Sequence, residues 1–197
     1  LNDLKPTFPI NCHALPATFF ERDTVVVARE LLGCYLWRYQ PDTEQWLRLM
    51  VVETEAYTAN DPACHAYNRT TGRAEMLYGH PGTAYVYLIY GMYDCLNVVT
   101  EPHGTAGAVL FRALEPPEGM SIRTNGPGRL TKALNITRQE FNGTLLTTVN
   151  SGLFLSSGAS VPDIDVIQTT RIGLTKAADY PWRFYIQGNP WVSVKAK

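Results

Sequence analysis

The sequence predicts an α+β fold in one compact domain, and three observations carry that prediction. Five segments alternate or concentrate β-branched and aromatic residues: CYLWRYQ, WLRLMVVETEAY, TAYVYLIY, MYDCLNVVT and GAVLFRALEP. Helical spacing appears in only two short segments, at 23–32 and in RLTKAL (129–134). No repeat, low-complexity linker or compositional break divides the 197 residues. Strands joined by tight turns pair antiparallel, and the few helices pack outside the sheet. A single domain over 1–197 is expected, with residues 1–14 as an N-terminal extension.

The first helix is predicted over Asp23–Leu32. Asp23 is a good N-cap, Val25, Ala28, Leu31 and Leu32 recur at helical spacing, and Gly33 follows as a left-handed stop. A turn at Pro41-Asp42-Thr43 joins the next two strands into a hairpin. In its second arm, period-2 alternation puts Glu53, Glu55 and Tyr57 on one face and Val52, Thr54 and Ala56 on the other. Pro81-Gly82 turns the chain into TAYVYLIY, Gly91 interrupts it, and MYDCLNVVT returns. GAVLFRALEP is closed by Pro116-Pro117, and Gly126-Pro127-Gly128 precedes a helix in RLTKAL. From Asn142 onward short apolar runs lie among Gly, Ser and Thr, ending in PWRFYIQGNPWVSV.

Composition excludes several classes. A 45% hydrophobic content with 15 glycines and 13 prolines argues against a disordered, collagen-like or coiled-coil chain. No apolar run approaches the ~20 residues of a membrane span, and the opening LNDLKPTFPI lacks the form of a secretory signal. Cys12, Cys34, Cys64 and Cys95 are widely spaced, without C-x-x-C, which predicts reduced thiols and an intracellular location. The net charge of −1 suggests no nucleic-acid partner, but its distribution is uneven. Residues 1–119 hold 8 basic and 14 acidic side chains; residues 120–197 hold 9 basic and 4 acidic. Arg123, Arg129, Lys132 and Arg138 form a run without an acid, suited to phosphates or to a solvated helix face. Seven of the 11 tyrosines fall between Tyr57 and Tyr93, a bias that suits stacking on a flat polar group or a half-buried strand.

Candidate chemistry centres on Glu53 and Glu55, which project from one strand face. An ordinary glutamate, with pKa about 4.3, is ionised at neutral pH and can act as a base toward water. Arg112 sits inside an apolar strand and needs a carboxylate partner, with Glu55 or Glu53 the nearest plausible type. A purely structural ion pair would look the same. His65 beside Cys64 lacks further ligands at metal spacing, so no metal is expected. Met120 to Leu134 holds glycines but matches neither nucleotide-binding loop, so no cofactor is expected. The residues alone describe a pocket for a flat polar group.

The strings VVETEAY, PGTAYVYLIYGMYDCLNVV, FRALEP, NGPGRLTKAL and WRFYIQGNPWVSV together resemble the alkyladenine (3-methyladenine) DNA glycosylase family, of the mammalian and bacterial methylpurine type. The resemblance runs in order from about Leu15 to Val194. It implies a curved, mostly antiparallel sheet with a protruding β-hairpin. It also implies a monofunctional, cofactor-free enzyme of base excision repair. Such an enzyme flips a damaged purine (3-methyladenine, 7-methylguanine, hypoxanthine or ethenoadenine) out of double-stranded DNA and hydrolyses its glycosidic bond, leaving an abasic site. A monomer without membrane association is expected, DNA-bound in a cytoplasm or nucleoid if bacterial and in a nucleus if eukaryotic.

By that resemblance Glu55 is the general base and Arg112 holds the water and the carboxylate. Tyr57, His65 and Tyr87 line the base pocket, and Asn97 crowds the exocyclic amine of normal guanine. Tyr90 is the wedge left in the duplex, with Met92 and Tyr93 beside it. Arg69, Arg129 and Arg138 face the DNA backbone. No lysine lies near Glu55 in sequence, which agrees with hydrolysis rather than Schiff-base chemistry. Three features depart from the family pattern: the short connection from Glu118-Gly119 to Asn125-Gly126, the acidic first 119 residues, and Asp94 near the wedge. A catalytically silent lesion-binding module and a nucleoside hydrolase are the rival readings.

Overall fold

Two short helices precede the sheet in the computed structural model, which describes residues 12–89 and 91–195. Helix α1 spans Ala17–Phe20 and α2 spans Thr24–Glu30. The Asp23 side chain accepts from the Val25 and Val26 amides, the N-cap expected from sequence. The helix ends two residues before the predicted Leu32, and Gly33 follows at φ 83°. A Cβ on Gly33 would stand 2.2 Å from the Ala159 carbonyl oxygen, so glycine here serves both the backbone angle and the close approach of 158–161.

Strand β1 (Tyr35–Gln40) and the long β2 (Gln45–Thr58) form the predicted hairpin, Tyr35 opposite Met50 and Gln40 opposite Gln45. A 3-10 helix over Gly72–Tyr78, not marked in the sequence by any strong signal, leads to β3 (Ala84–Ile89). Then come β4 (Tyr93–Val99) and β5 (Gly107–Glu115). Helix α3 covers Pro127–Ala133, starting two residues before the predicted RLTKAL. The reason is that Pro127 occupies N1, where its missing N–H leaves no helical bond unmade. Helix α4 (Arg138–Phe141) and strands β6 (Leu153–Ser156), β7 (Val166–Thr169) and β8 (Arg183–Ile186) complete the order.

All pairings among these strands are antiparallel, in the order β3-β4-β5-β2-β1-β6, with β8 pairing both β2 and β7. The single domain is α+β, with the sheet curled into a half-barrel around helices that pack against it. Strand β2 is shared: its first half pairs β1, while Glu53–Glu55 lie between β5 and β8. Two irregularities interrupt β2 against β5. Thr54 faces Phe111, Glu53 faces Ala113 and Val51 faces Leu114, so Arg112 and Val52 are each one extra residue. Such bulges bend a strand and re-aim the side chain they carry.

The main core lies on one side of the sheet and includes Phe20, Leu31, Leu36, Leu49, Phe111, Leu114 and Phe141, each fully buried. Helix α2 is tied to it where the Thr54 hydroxyl donates to the Ala28 carbonyl (2.7 Å). A smaller cluster, containing Cys64, Leu77, Tyr85, Val99 and Ala108, sits beneath Tyr57 and Tyr87. Of the N-terminal extension, residues 1–11 lie outside the described residues; Ala14 bridges to Ser156 and Leu15 is buried. Among the described residues no helix is long and apolar enough to cross a membrane. Asp23→Ala removes both capping bonds at the start of α2; equilibrium urea unfolding is expected to register a loss of about 1 kcal/mol.

Candidate active site

Alternation along β2 places Glu53, Glu55 and Tyr57 on one face, as the sequence predicts, yet that face is not solvated. Glu53 and Glu55 are both fully buried, covered by the chain around Ile172, Arg183 and Ser193. Glu55 Oε1 lies 3.2 Å from Arg112 Nη1 and accepts from the Ile172 amide at 2.8 Å. Its Oε2 accepts from the Tyr57 hydroxyl at 2.8 Å. Glu53 Oε1 meets Arg112 Nε (3.3 Å) and Arg183 Nη1 (2.9 Å), and its Oε2 accepts from the Ser193 amide (2.6 Å). Arg112 therefore serves both glutamates rather than one. The bulge explains this, because the extra residue sits between the positions opposite Glu53 and Glu55.

A cavity of about 480 Å³ opens beside this cluster, lined by Tyr57, His65, Tyr85, Tyr87, Asn97 and Leu174 among others. Glu55 and Arg112 are not part of its wall. Glu55 stands directly behind it, joined through the Tyr57 hydroxyl. The imidazole of His65 meets the Tyr87 ring edge-on, centroids 4.7 Å apart, and its Nδ1 lies 2.9 Å from the Tyr85 hydroxyl. The Asn97 amide donates to the carbonyls of Tyr85 (3.0 Å) and Cys95 (3.3 Å), which uses its Nδ2 and fixes the side chain against the sheet.

Burial governs ionisation around the cavity. It holds Tyr57 and Tyr87 well above the ordinary phenol range and pushes Tyr85 to about 12, so all three keep their protons. Burial lowers His65 below its usual value, with the charges of Arg73 and Arg69 acting in the same direction. The thiols of Cys64 and Cys95 are raised to about 11 by burial, consistent with packing rather than nucleophilic roles. No group of three or more His, Cys, Asp or Glu arranged to hold a metal occurs among the described residues.

The structure brings Glu55, Arg112, Tyr57, His65, Tyr87 and Asn97 to one place. The residues expected at DNA lie outside it. Met92 (69% exposed) and Tyr93 (45%) project at the β3–β4 turn, where Tyr93 packs against Gly128 at the start of α3. Arg129 is exposed on α3 and Arg138 on α4, the latter bordering a second groove with Arg73. Arg69 is exposed on the loop after His65. Tyr90, the expected wedge, lies outside the described residues. Tyr85 was missed as a wall residue although it sits two positions before Tyr87 on the same strand face, a signal period-2 reading could have used. Arg171, Arg183 and the Ile172 amide carry no comparable signal.

A buried carboxylate thus adjoins an aromatic cavity on a half-barrel sheet that also carries an exposed hairpin tip. The family model described as methylpurine-DNA glycosylase matches residues 18–190. Relatives named as candidate 3-methyladenine DNA glycosylases include one from Methanoculleus marisnigri, 45% identical and covering 91% of this chain and 98% of that protein. Others come from Salinibacter ruber (47%; 91% and 96%) and Synechococcus elongatus (50%; 83% and 82%). The chain belongs to the methylpurine-DNA glycosylase family. It is a DNA glycosylase, an N-glycosyl hydrolase of DNA repair.

Because folding lowers the pKa of His65, the unfolded chain binds the extra proton first as pH falls. The stability contributed by neutral His65 is therefore complete above about pH 6.5 and is lost progressively below it. Wild-type protein is expected to lose stability over that window more than His65→Gln, as read by thermal unfolding at a series of pH values.

Proposed function

We propose that this glycosylase excises damaged purines from duplex DNA, 3-methyladenine, 7-methylguanine, hypoxanthine and ethenoadenine being the candidate class, through a water activated by Glu55. The observation that carries the reading is the hydrogen bonding of that carboxylate. A carboxylate has four lone-pair directions. The Ile172 amide takes one on Oε1, where Arg112 adds an ion-pair contact, and the Tyr57 hydroxyl takes one on Oε2, the oxygen bonded to the cavity wall through that tyrosine. Among the described residues nothing else engages Oε2, so a water at its second lone pair would meet an anion held in place by two hydrogen bonds and an ion pair. Arg112 would orient both the carboxylate and the attacking water.

Chemistry on a base inside a duplex requires eversion at a cost of a few kcal/mol. Stacking on aromatics returns ~1–3 kcal/mol per base, and Tyr57 and Tyr87 are the walls available for it. The exposed Met92 and Tyr93, with Tyr90 between β3 and Gly91, would fill the gap left in the stack. Asn97, held by two backbone carbonyls, is a rigid wall against an extra exocyclic group. A purine methylated at N3 or N7 is cationic, leaves readily and is attracted by electron-rich rings. Arg129, Arg138 and Arg69 would meet backbone phosphates, giving non-specific affinity that falls steeply with salt. A DNA-associated location follows from this reading.

Glu55→Gln keeps the size and loses the base. It is expected to reduce single-turnover release of hypoxanthine from a duplex by about 10²-fold or more while lesion-DNA affinity stays within a few-fold. Release at the wild-type rate would remove Glu55 from the role. Lesion binding without release by the wild-type protein would instead favour a silent binding module, and release from free nucleosides a nucleoside hydrolase.

A further inference from the structure

We propose that Arg171, clamped by Asp61, is a positioning residue of the excision site that sets the plane and the electron density of Tyr57. The inference rests on the reading of the cavity as the place where an everted base is held. Arg171 is 5% exposed and Asp61 fully buried, yet they lie 110 residues apart in the chain. Both terminal guanidinium nitrogens engage the carboxylate: Nη1 bonds Oδ2 and Nη2 bonds Oδ1 (2.9 Å), a two-pronged fork. Nη1 also donates to the Ala56 carbonyl (2.9 Å) and Nη2 to the Ala177 carbonyl (3.3 Å), so the group is fixed from three directions.

The fixed cation lies 4.6 Å from the centroid of the Tyr57 ring. Tyr57 forms part of the cavity wall and Arg171 does not, so the guanidinium backs the ring from outside the cavity. Its Nε is buried without a hydrogen bond among the described residues, and the Trp182 and Tyr180 rings also stand 5.3 and 5.9 Å from the guanidinium carbon. The next amide, Ile172 N–H, donates to Glu55 Oε1. One dipeptide thus backs the aromatic wall and holds the carboxylate.

Two consequences follow. Planar backing and the Ile172 bond keep Tyr57 and Glu55 in reacting geometry, where small misplacements slow a reaction strongly. A cation on one face of a ring also withdraws density from the other face. Tyr57 is thereby less attractive to a cationic base than an unbacked tyrosine would be, and a neutral lesion loses nothing by comparison.

The test compares wild type, Arg171→Lys and the paired variant Asp61→Asn/Arg171→Gln, which removes both buried charges together. Single-turnover release is measured from duplexes carrying hypoxanthine or 7-methylguanine, with rates expressed per active molecule by burst titration. Arg171→Lys keeps the charge and loses the planar fork, so both maximal rates should fall about tenfold or more with little change in lesion-DNA affinity. The paired variant should also shift the rate ratio about three- to tenfold toward 7-methylguanine. A merely structural pair would lower the thermal midpoint and the active fraction but leave rate per active molecule and lesion ratio unchanged, and that result overturns the inference. It does so alone, because wild-type release still stands. Failure of the wild-type protein to release either base overturns the excision reading, and this inference with it.

Discussion

Two glutamates on one face of one strand, buried beneath the C-terminal segment, are the constraint around which the molecule is organised. Left unpaired, Glu53 and Glu55 would be too costly to bury, and their mutual repulsion would add to the cost. Arg112 and Arg183 supply two opposite charges, and the amides of Ile172 and Ser193 supply two more donors. Removing one member of such a cluster leaves a buried charge uncompensated, at a typical cost of about 3–5 kcal/mol. Since the donors come from β5, β8 and the chain after β7, satisfying the glutamates is the same event as closing the fold over β2.

The two glutamates are treated differently. Glu53 is held by two arginines and an amide, and it ties Arg112 and Arg183 together. Glu55 stands one tyrosine away from open space. The bulge at Arg112 makes this division possible, because a regular strand would point that guanidinium at a single cross-strand partner. The charge imbalance of the chain reads differently in this light. Glu53, Glu55 and Asp61 are part of the acidic excess of the first 119 residues, but each is buried against an arginine and presents no charge at the surface. The exposed Arg69, Arg129 and Arg138 face solvent without those three acids beside them.

How much of this was legible depended on distance along the chain. The cap at Asp23, the hairpin of β1 and β2, the face shared by Glu53, Glu55 and Tyr57, and the need of Arg112 for a carboxylate are all local signals. Each follows from a spacing of two or four residues or from one residue in an apolar run. The family resemblance added Tyr57, His65, Tyr87 and Asn97, which the structure gathers around one cavity. The 3-10 helix before β3 and strands β6 to β8 were not assigned, because short polar-rich segments take their conformation from what they pack against.

From the sequence by itself came the fold class, the strand carrying the acids and the kind of side chain that must answer Arg112, since side-chain periodicity and the cost of burying charge act within a strand. Only the tertiary structure decided that Arg112 bridges both glutamates, that Arg183 and Ser193 complete Glu53, and that Arg171 reaches Asp61 behind Tyr57. Those partners are separated by 57 to 140 residues, and no local pattern encodes which distant cation a buried carboxylate will meet. That choice is made when the sheet curls and the last strands close over it.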